Sequence, residues 1–436
     1  MPNSNSVKQA ISKRLAKRRL FYVCRDIERA MGIDLPRRSH IEKPGLSLNN
    51  YYIITNYNEF SAKLARQYPY IILIKEKNQL DTKDLLVHKK TKSAMRKNDF
   101  VLVFKSNTLI EAQCKKNNWR LLNPDAKLAD KIESKTSQVE WLGKLTKYLP
   151  SCQTKICGNI KWNGKPFILQ FNHSHTGSGT LFIDSNKKLA DLKLKFAKRE
   201  VRVANYIQGQ VFTNNNVIWG AKILTGNINY QITGLSPFTD NKFATIGNDW
   251  ALPTKLLGNK QIKQYKKIAT DIGKKLKRDG WKGLYGVDII ADEKTGRLYL
   301  LEINARQPAS TTFESQLQRL VIPTEVEESL TPNERDLSTT LEMTKLTTIF
   351  EAHVASLLGA PNKDYKLTSI SDGAQIVQRV TEKIKKARIP KIKDAFLINI
   401  IKYNNTSPGS DLIRFQFSKG LMKKHNVLND LGKKII

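Results

Sequence analysis

The sequence predicts an N-terminal α/β domain on a parallel sheet, then an α+β body, then a strand-rich C-terminal part. Three observations predict this. Strand-sized apolar runs alternate with helix-length segments over the first 125 residues. Short apolar runs separated by Asn, Gly and Thr fill residues 211–256. Two apolar strands at 286–306 flank a Lys-Thr-Gly turn. At 436 residues the chain suits two to three domains.

The chain opens on a basic helix: Val7, Ile11 and Leu15 recur every four residues, and Lys13, Arg14, Lys17, Arg18 and Arg19 take other faces. Phe21–Cys24 is a short apolar run, and Asp26–Met31 reads as helix. Strands at Tyr51–Thr55, Tyr70–Ile74, Phe100–Phe104 and Trp119–Leu122 alternate with helices at Glu59–Gln67 and Thr108–Asn117. Strands without a polar face need cover on both sides, which helices supply in a parallel sheet. This domain spans about 1–125.

Next, a helix is expected over Lys127–Tyr148, ended by Pro150. Residues 155–183 read as strands around a Gly/Ser/His loop, followed by a helix at Lys187–Lys198 and a strand at Val201–Ile207. A β-meander is expected over 211–256 and a long amphipathic helix over Lys260–Arg278. In 323–343 six acids oppose Arg335 alone, a net −5, which suggests an exposed insertion over about 321–345. A helix at Leu346–Leu358 and strands at Ala374–Val380, Phe396–Ile401 and Asp411–Phe417 close the chain. Residues 346–436 either complete the preceding core or form a small extra domain.

Lys plus Arg number 74 and Asp plus Glu 39, a net charge of +35. Hydrophobic residues make up 40%, enough for a core, so wholesale disorder is excluded. No run approaches the ~18 apolar residues of a membrane span, and no signal peptide is visible. Four scattered cysteines fit neither a disulfide framework nor a zinc site. A cytoplasmic location without a membrane partner is expected.

The chemistry concentrates in residues 286–306, GVDIIADEKTGRLYLLEINAR. A three-residue hairpin loop Lys294–Gly296, with Gly296 in the left-handed region, pairs Glu293 with Arg297. Asp288 then falls opposite Glu302, and Asn304 shares their face. Two carboxylates facing each other among apolar residues repel and lose solvation, and a divalent cation resolves both problems. Asp, Glu and Asn are hard oxygen donors of the kind Mg²⁺ takes. The same spacing also suits a solvent-facing hairpin with ordinary polar alternation.

LEINARQPAS resembles the E-x-N-x-R signature of the ATP-grasp superfamily, as in biotin carboxylases and the large subunit of carbamoyl phosphate synthetase. GVDII resembles that superfamily's first metal-ligand strand. The resemblance implies a two-lobed ATP-grasp domain over about 126–320, with a small ATP-clamping lobe near 151–210. It implies that Asp288, Glu302 and Asn304 hold Mg²⁺ against ATP, and that Arg306 meets the transferred phosphate. PFILQFNHSHTGSGTLFI resembles the strand–loop–strand that cradles phosphates, implicating His175, Gly177, Ser178 and Gly179. The position where the resemblance implies a lysine holds Gln170; Gln can donate to a phosphate oxygen, and His173 or His175 can supply charge when protonated. VRVANYIQGQVF resembles the adenine-binding linker, implicating Asn205, Tyr206 and Ile207, with Gln210 toward the ribose. KLADKIESKTSQVEWL resembles the segment that supplies another ATP-contacting lysine, Lys135, with Lys131 as the second choice.

The implied activity is an ADP-forming ligase that activates a carboxylate as an acyl phosphate for an amine or other nucleophile. Its partners are small-molecule substrates, and the resemblance allows a homodimer. The alternative is a polyanion- or nucleic-acid-binding protein on a degenerate ATP-grasp scaffold, suggested by the +35 charge, the basic residues 8–19 and Gln170. Ala244–Leu252, with its Gly-Asn-Asp-Trp cluster, is either a turn over a packed Trp or part of an acceptor site.

Overall fold

The structure is a computed structural model that describes residues 6–33, 48–172, 179–321, 345–386, 392, 394–403 and 405–436. Five short strands, β1 (Leu20–Val23), β2 (Tyr51–Asn56), β3 (Ile71–Ile74), β4 (Phe100–Val103) and β5 (Arg120–Leu121), form a parallel sheet. Its order is β3-β2-β1-β4-β5. β1 and β4 are buried throughout, and their residues divide between two apolar clusters, as strands covered on both faces require. The Val7–Leu15 helix lays Val7, Ile11 and Leu15 into one of these clusters. Asp26–Met31 contains only a 3-10 turn, Ile27–Ala30.

Four antiparallel strands follow: β6 (Cys152–Ile156), β7 (Phe167–Phe171), β8 (Thr180–Ile183) and β9 (Glu200–Asn205), in the order β6-β9-β7-β8. The helix Asn186–Phe196 connects β8 to β9. The expected helix over 127–148 is instead Ala126–Glu133, then Ser137–Leu142, then a 3-10 turn over Gly143–Tyr148. Asn172, just past β7, causes the first break. Its Oδ1 accepts from Ser134 Oγ (2.9 Å) and Thr136 N (3.0 Å), so these groups bind the neighbouring strand and not a continuing helix.

The largest sheet contains the expected meander, β10 (Gly209–Trp219), β11 (Lys222–Thr233) and β12 (Thr245–Asp249), and the hairpin β13 (Gly283–Asp292) and β14 (Leu298–Asn304). Two-residue strands β15 (Leu346–Thr347) and β16 (Lys366–Leu367) pair separately. Then β17 (Ala374–Arg379), β18 (Leu397–Lys402) and β19 (Asp411–Phe417) extend the large sheet, whose order is β14-β13-β10-β11-β12-β17-β19-β18.

The helix Asn259–Arg278 covers one face of this sheet. Tyr265, Ile268, Ala269, Ile272, Gly273 and Leu276 are buried at helical spacing, while its lysines other than the half-buried Lys275 are exposed. Tyr265 donates to the Val287 carbonyl (2.9 Å) and Tyr285 to the Ala269 carbonyl (2.9 Å). A Cβ at Gly273 would lie 2.3 Å from the Tyr285 hydroxyl, which explains a glycine inside a helix. No helix among the described residues is long and apolar enough to cross a membrane. The acidic stretch expected near 321–345 lies almost wholly outside the described residues.

The helix Thr311–Val321 buries Glu314 against Asn215 and Asn227, with Asn227 Nδ2 donating at 3.0 Å. Burial outweighs these hydrogen bonds and pushes its carboxyl up to about 7. A raised folded-state pKa stabilises the fold at acid pH, and the gain is lost as pH rises from about 4.5 through 7. Relative to Glu314→Gln, the parent should lose roughly 3 kcal/mol of stability across that window. Urea melts of both proteins at pH 4.5, 6 and 8 test this; parallel pH profiles would refute it.

Candidate active site

The β13–β14 hairpin sets Asp288 directly opposite Glu302 and Gly286 opposite Asn304. Asn304 Nδ2 lies 3.4 Å from Asp288 Oδ2. The hairpin reaches this register by a different route from the one expected. Its end is closed by Asp292 and Arg297, with Asp292 N donating to the Arg297 carbonyl at 2.9 Å, so the loop is the four residues Glu293–Gly296. Gly296 has the expected positive φ, +69°. The one-residue offset is cancelled by a bulge between Asp288 and Ile289 that leaves Leu301 unpaired.

On the other side of β13, Asp288 pairs with Thr213 of β10. The polar side chains of Thr213 and Gln231 favour the ionised Asp288 carboxylate. Burial, and then the Glu302 charge, nevertheless push the Asp288 carboxyl up to about 6. Burial also opposes ionisation of Glu302, but the Lys135 ammonium and the Arg306 guanidinium outweigh it and hold its pKa below the ordinary range.

Lys135 sits in the break between the Ala126–Glu133 and Ser137–Leu142 helices, its side chain buried and its Nζ 3.1 Å from Glu302 Oε1. Burial lowers its pKa, against the pull of Glu302. Arg306 pairs with Glu133, which also binds Lys105 at 2.6 Å. Burial disfavours the Arg306 charge, but Glu133 and Glu302 raise its pKa overall. The residues Glu133, Lys105, Thr213, Gln231 and Arg202 were not singled out from sequence. They lie on four different elements and the loop after β4, and no local pattern marks them.

Across the cleft stands the small sheet. Thr180, Gln170 and Arg202 form one row over β8, β7 and β9. Arg202 is 3% exposed and donates to Gln170 Oε1 (2.8 Å), Gln138 Oε1 (3.1 Å) and the carbonyl of the bulged Leu301 (3.1 Å). It thereby ties the small lobe to the Asp288–Glu302 hairpin.

The remaining expected residues are placed as follows. Gly179 is described, its carbonyl accepting from Phe171 N at 2.9 Å. His173, His175, Gly177 and Ser178 lie outside the described residues. Asn205 and Tyr206 are exposed and Ile207 half-buried between β9 and β10, with Tyr206 against Phe182 at 4.6 Å. Gln210 is not brought to the carboxylates. It pairs with Ala291, on the face of β10 that Phe212 shares and opposite to that of Thr213. Gly209 follows from packing: a Cβ there would meet the Ala291 carbonyl at 1.8 Å. Gly247, Asn248 and Asp249 are not the expected turn: they form the end of β12, paired with β17, and the buried Trp250 that follows packs on Phe313 at 5.8 Å.

The donor set fits a hard divalent cation. Asp288 Oδ1 is a buried oxygen without a hydrogen-bond partner, and Lys135 already supplies a positive charge to Glu302. Among the described residues no group of three or more His, Cys, Asp and Glu converges. Two carboxylates and an amide leave room for ligands from a phosphate, the arrangement Mg²⁺ favours.

Solved structures share this fold. They include N5-carboxyaminoimidazole synthetase from Staphylococcus aureus complexed with ADP, at 11% identity over 96% of each chain and a TM-score of 0.56. An L-amino acid ligase from Bacillus licheniformis matches at 11% identity over 92% of this chain and 93% of that one, TM-score 0.58. The biotin carboxylase domain of Hydrogenobacter thermophilus 2-oxoglutarate carboxylase, in complex with MgADP, ADP and bicarbonate, matches at 12% identity over 92% and 86%, TM-score 0.59. No family model and no curated protein sequence matches the chain.

Proposed function

From the ATP-grasp fold that the chain shares with these enzymes, we propose that it is an ADP-forming ligase that activates a carboxylate with Mg-ATP for attack by an amine. The observation that carries this reading is the Asp288–Glu302 pair, with Lys135 and Arg306 beside it, between the two sheets. Opposed carboxylates with a buried, unpartnered oxygen are hard to explain as scaffold.

In the reaction, a substrate carboxylate oxygen attacks the γ-phosphorus of ATP and ADP leaves. The amine nitrogen then attacks the acyl carbon, phosphate leaves, and the amine proton passes to solvent or to the phosphate. Mg²⁺, held by Asp288, Glu302 and Asn304, would neutralise charge on the transferring phosphoryl group. Arg306, kept charged by Glu133, would donate its fork to the transferred phosphate. Lys135 would exchange its contact with Glu302 for the nucleotide. Tyr206 at the β9–β10 linker and Phe182 on β8 beside it offer aromatic faces to the adenine.

The test is ADP and phosphate release from Mg-ATP on addition of pooled carboxylates and amines. Substrate-dependent ADP is expected. Absence of both turnover and Mg-ATP binding by calorimetry would refute the reading.

A further inference from the structure

The ATP-grasp resemblance implies a lysine on β7 against the nucleotide's α and β phosphates, and Gln170 stands there. The residue directly across the ladder is Arg202 on β9. Directly opposed residues share a face of the sheet. Arg202 Nε donates to Gln170 Oε1 at 2.8 Å, and Gln170 Nε2 donates to Thr180 Oγ1 at 3.2 Å, so the three polar side chains form one bonded row. The row faces the cleft, since Arg202 Nη2 reaches the Leu301 carbonyl on the hairpin that carries Glu302.

All three acceptors of Arg202 are neutral, and among the described residues no carboxylate forms an ion pair with it. A guanidinium this deeply buried is costly without a countercharge. It has five N–H donors in one plane, and three hydrogen bonds leave others on its two terminal nitrogens. The neighbouring buried cation, Lys135, is already matched by Glu302. Among the described residues Arg202 is therefore the buried cation of the cleft that no carboxylate contacts directly, at the position facing the missing lysine.

We propose that Arg202 is the phosphate-binding cation of this site, moved one strand over from β7, and that Gln170 holds its guanidinium in place. The ligand class is a nucleoside di- or triphosphate, so the inference rests on the ATP reading above. The exchange is also exclusive. A lysine at 170 beside Arg202 would set two buried cations side by side, which explains a neutral residue there.

Calorimetric titration of the full chain with Mg-ADP and with adenosine tests this, alongside melting temperatures without nucleotide. Arg202→Gln should weaken Mg-ADP roughly 10- to 100-fold, the range of a charge-assisted hydrogen bond, and leave adenosine unchanged. The swap Gln170→Lys with Arg202→Gln should restore Mg-ADP to within a few-fold of the parent. Equal losses for Mg-ADP and adenosine would make Arg202 a lobe latch and overturn the proposal, as would a folded swap without recovery. If Arg202→Gln melts too low to titrate, the swap decides alone: Mg-ADP binding supports the relocation, and adenosine binding without it refutes it. A parent chain that binds neither ligand would remove the ATP reading itself.

Discussion

Glu302→Gln is expected to lower Mg-dependent ATP turnover by on the order of 10²–10³-fold, the cost of removing one preorganised charge contact from a transition state. The structure also adds a complication that must be designed around. Glu302 is the countercharge of Lys135, whose ammonium is buried 3.1 Å away. Removing the partly exposed Glu302 carboxylate leaves the buried Lys135 ammonium uncompensated, so Glu302→Gln should also lower the melting temperature. The double variant Glu302→Gln, Lys135→Met removes both charges and should recover stability without recovering turnover. Initial rates at saturating Mg-ATP, together with melts of the same samples, separate the two effects. Turnover that returns with stability would show that Glu302 acts only as the partner of Lys135, and the metal assignment would fail.

The carboxylate pair was legible because a hairpin register is local. Apolar alternation, a turn glycine and two acids at the right separation suffice to place Asp288 against Glu302. Even so, two departures cancelled. The loop closes one residue away from the expected pair, and the bulge at Leu301 restores the offset before it reaches Asp288. Nothing in LYLLEIN marks that bulge, because its cause lies on β9, where Arg202 takes the freed Leu301 carbonyl. Lys135 shows the same limit. It stands in a break that Asn172 imposes from another strand, whereas helical periodicity alone runs straight through residues 134–136. Gln210, placed toward the ribose by its position in the linker, is turned by strand alternation to the face of β10 opposite Thr213, so linker position alone does not tell which face it takes. Sequence spacing reports what lies along one element; the cleft is built from side chains of several.

Asp249→Ala should cost on the order of 4 kcal/mol or more in stability, which makes it the most damaging single scaffold change expected. The carboxylate is fully buried, and both oxygens are saturated by backbone donors. Oδ1 accepts from Ala251 N at 2.9 Å and Leu252 N at 3.0 Å. Oδ2 accepts from Leu421 N at 2.7 Å and Met422 N at 2.9 Å. Asp249 thus closes the turn after β12 and fastens the segment after β19 to it, two elements more than 170 residues apart in sequence. Deleting the side chain leaves four buried N–H groups without acceptors, each worth about 1–3 kcal/mol when unsatisfied. Asp249→Asn should be only slightly milder. An amide offers one acceptor atom, and its NH₂ would point at two N–H donors, so one of the two pairs is lost whichever way it turns. Denaturant titrations of parent, Asn and Ala variants read this order directly. Were Asp249 instead part of an acceptor site, Asn would fold normally and show a raised KM for one substrate. A near-parental denaturation midpoint for Asp249→Asn would therefore overturn the structural role.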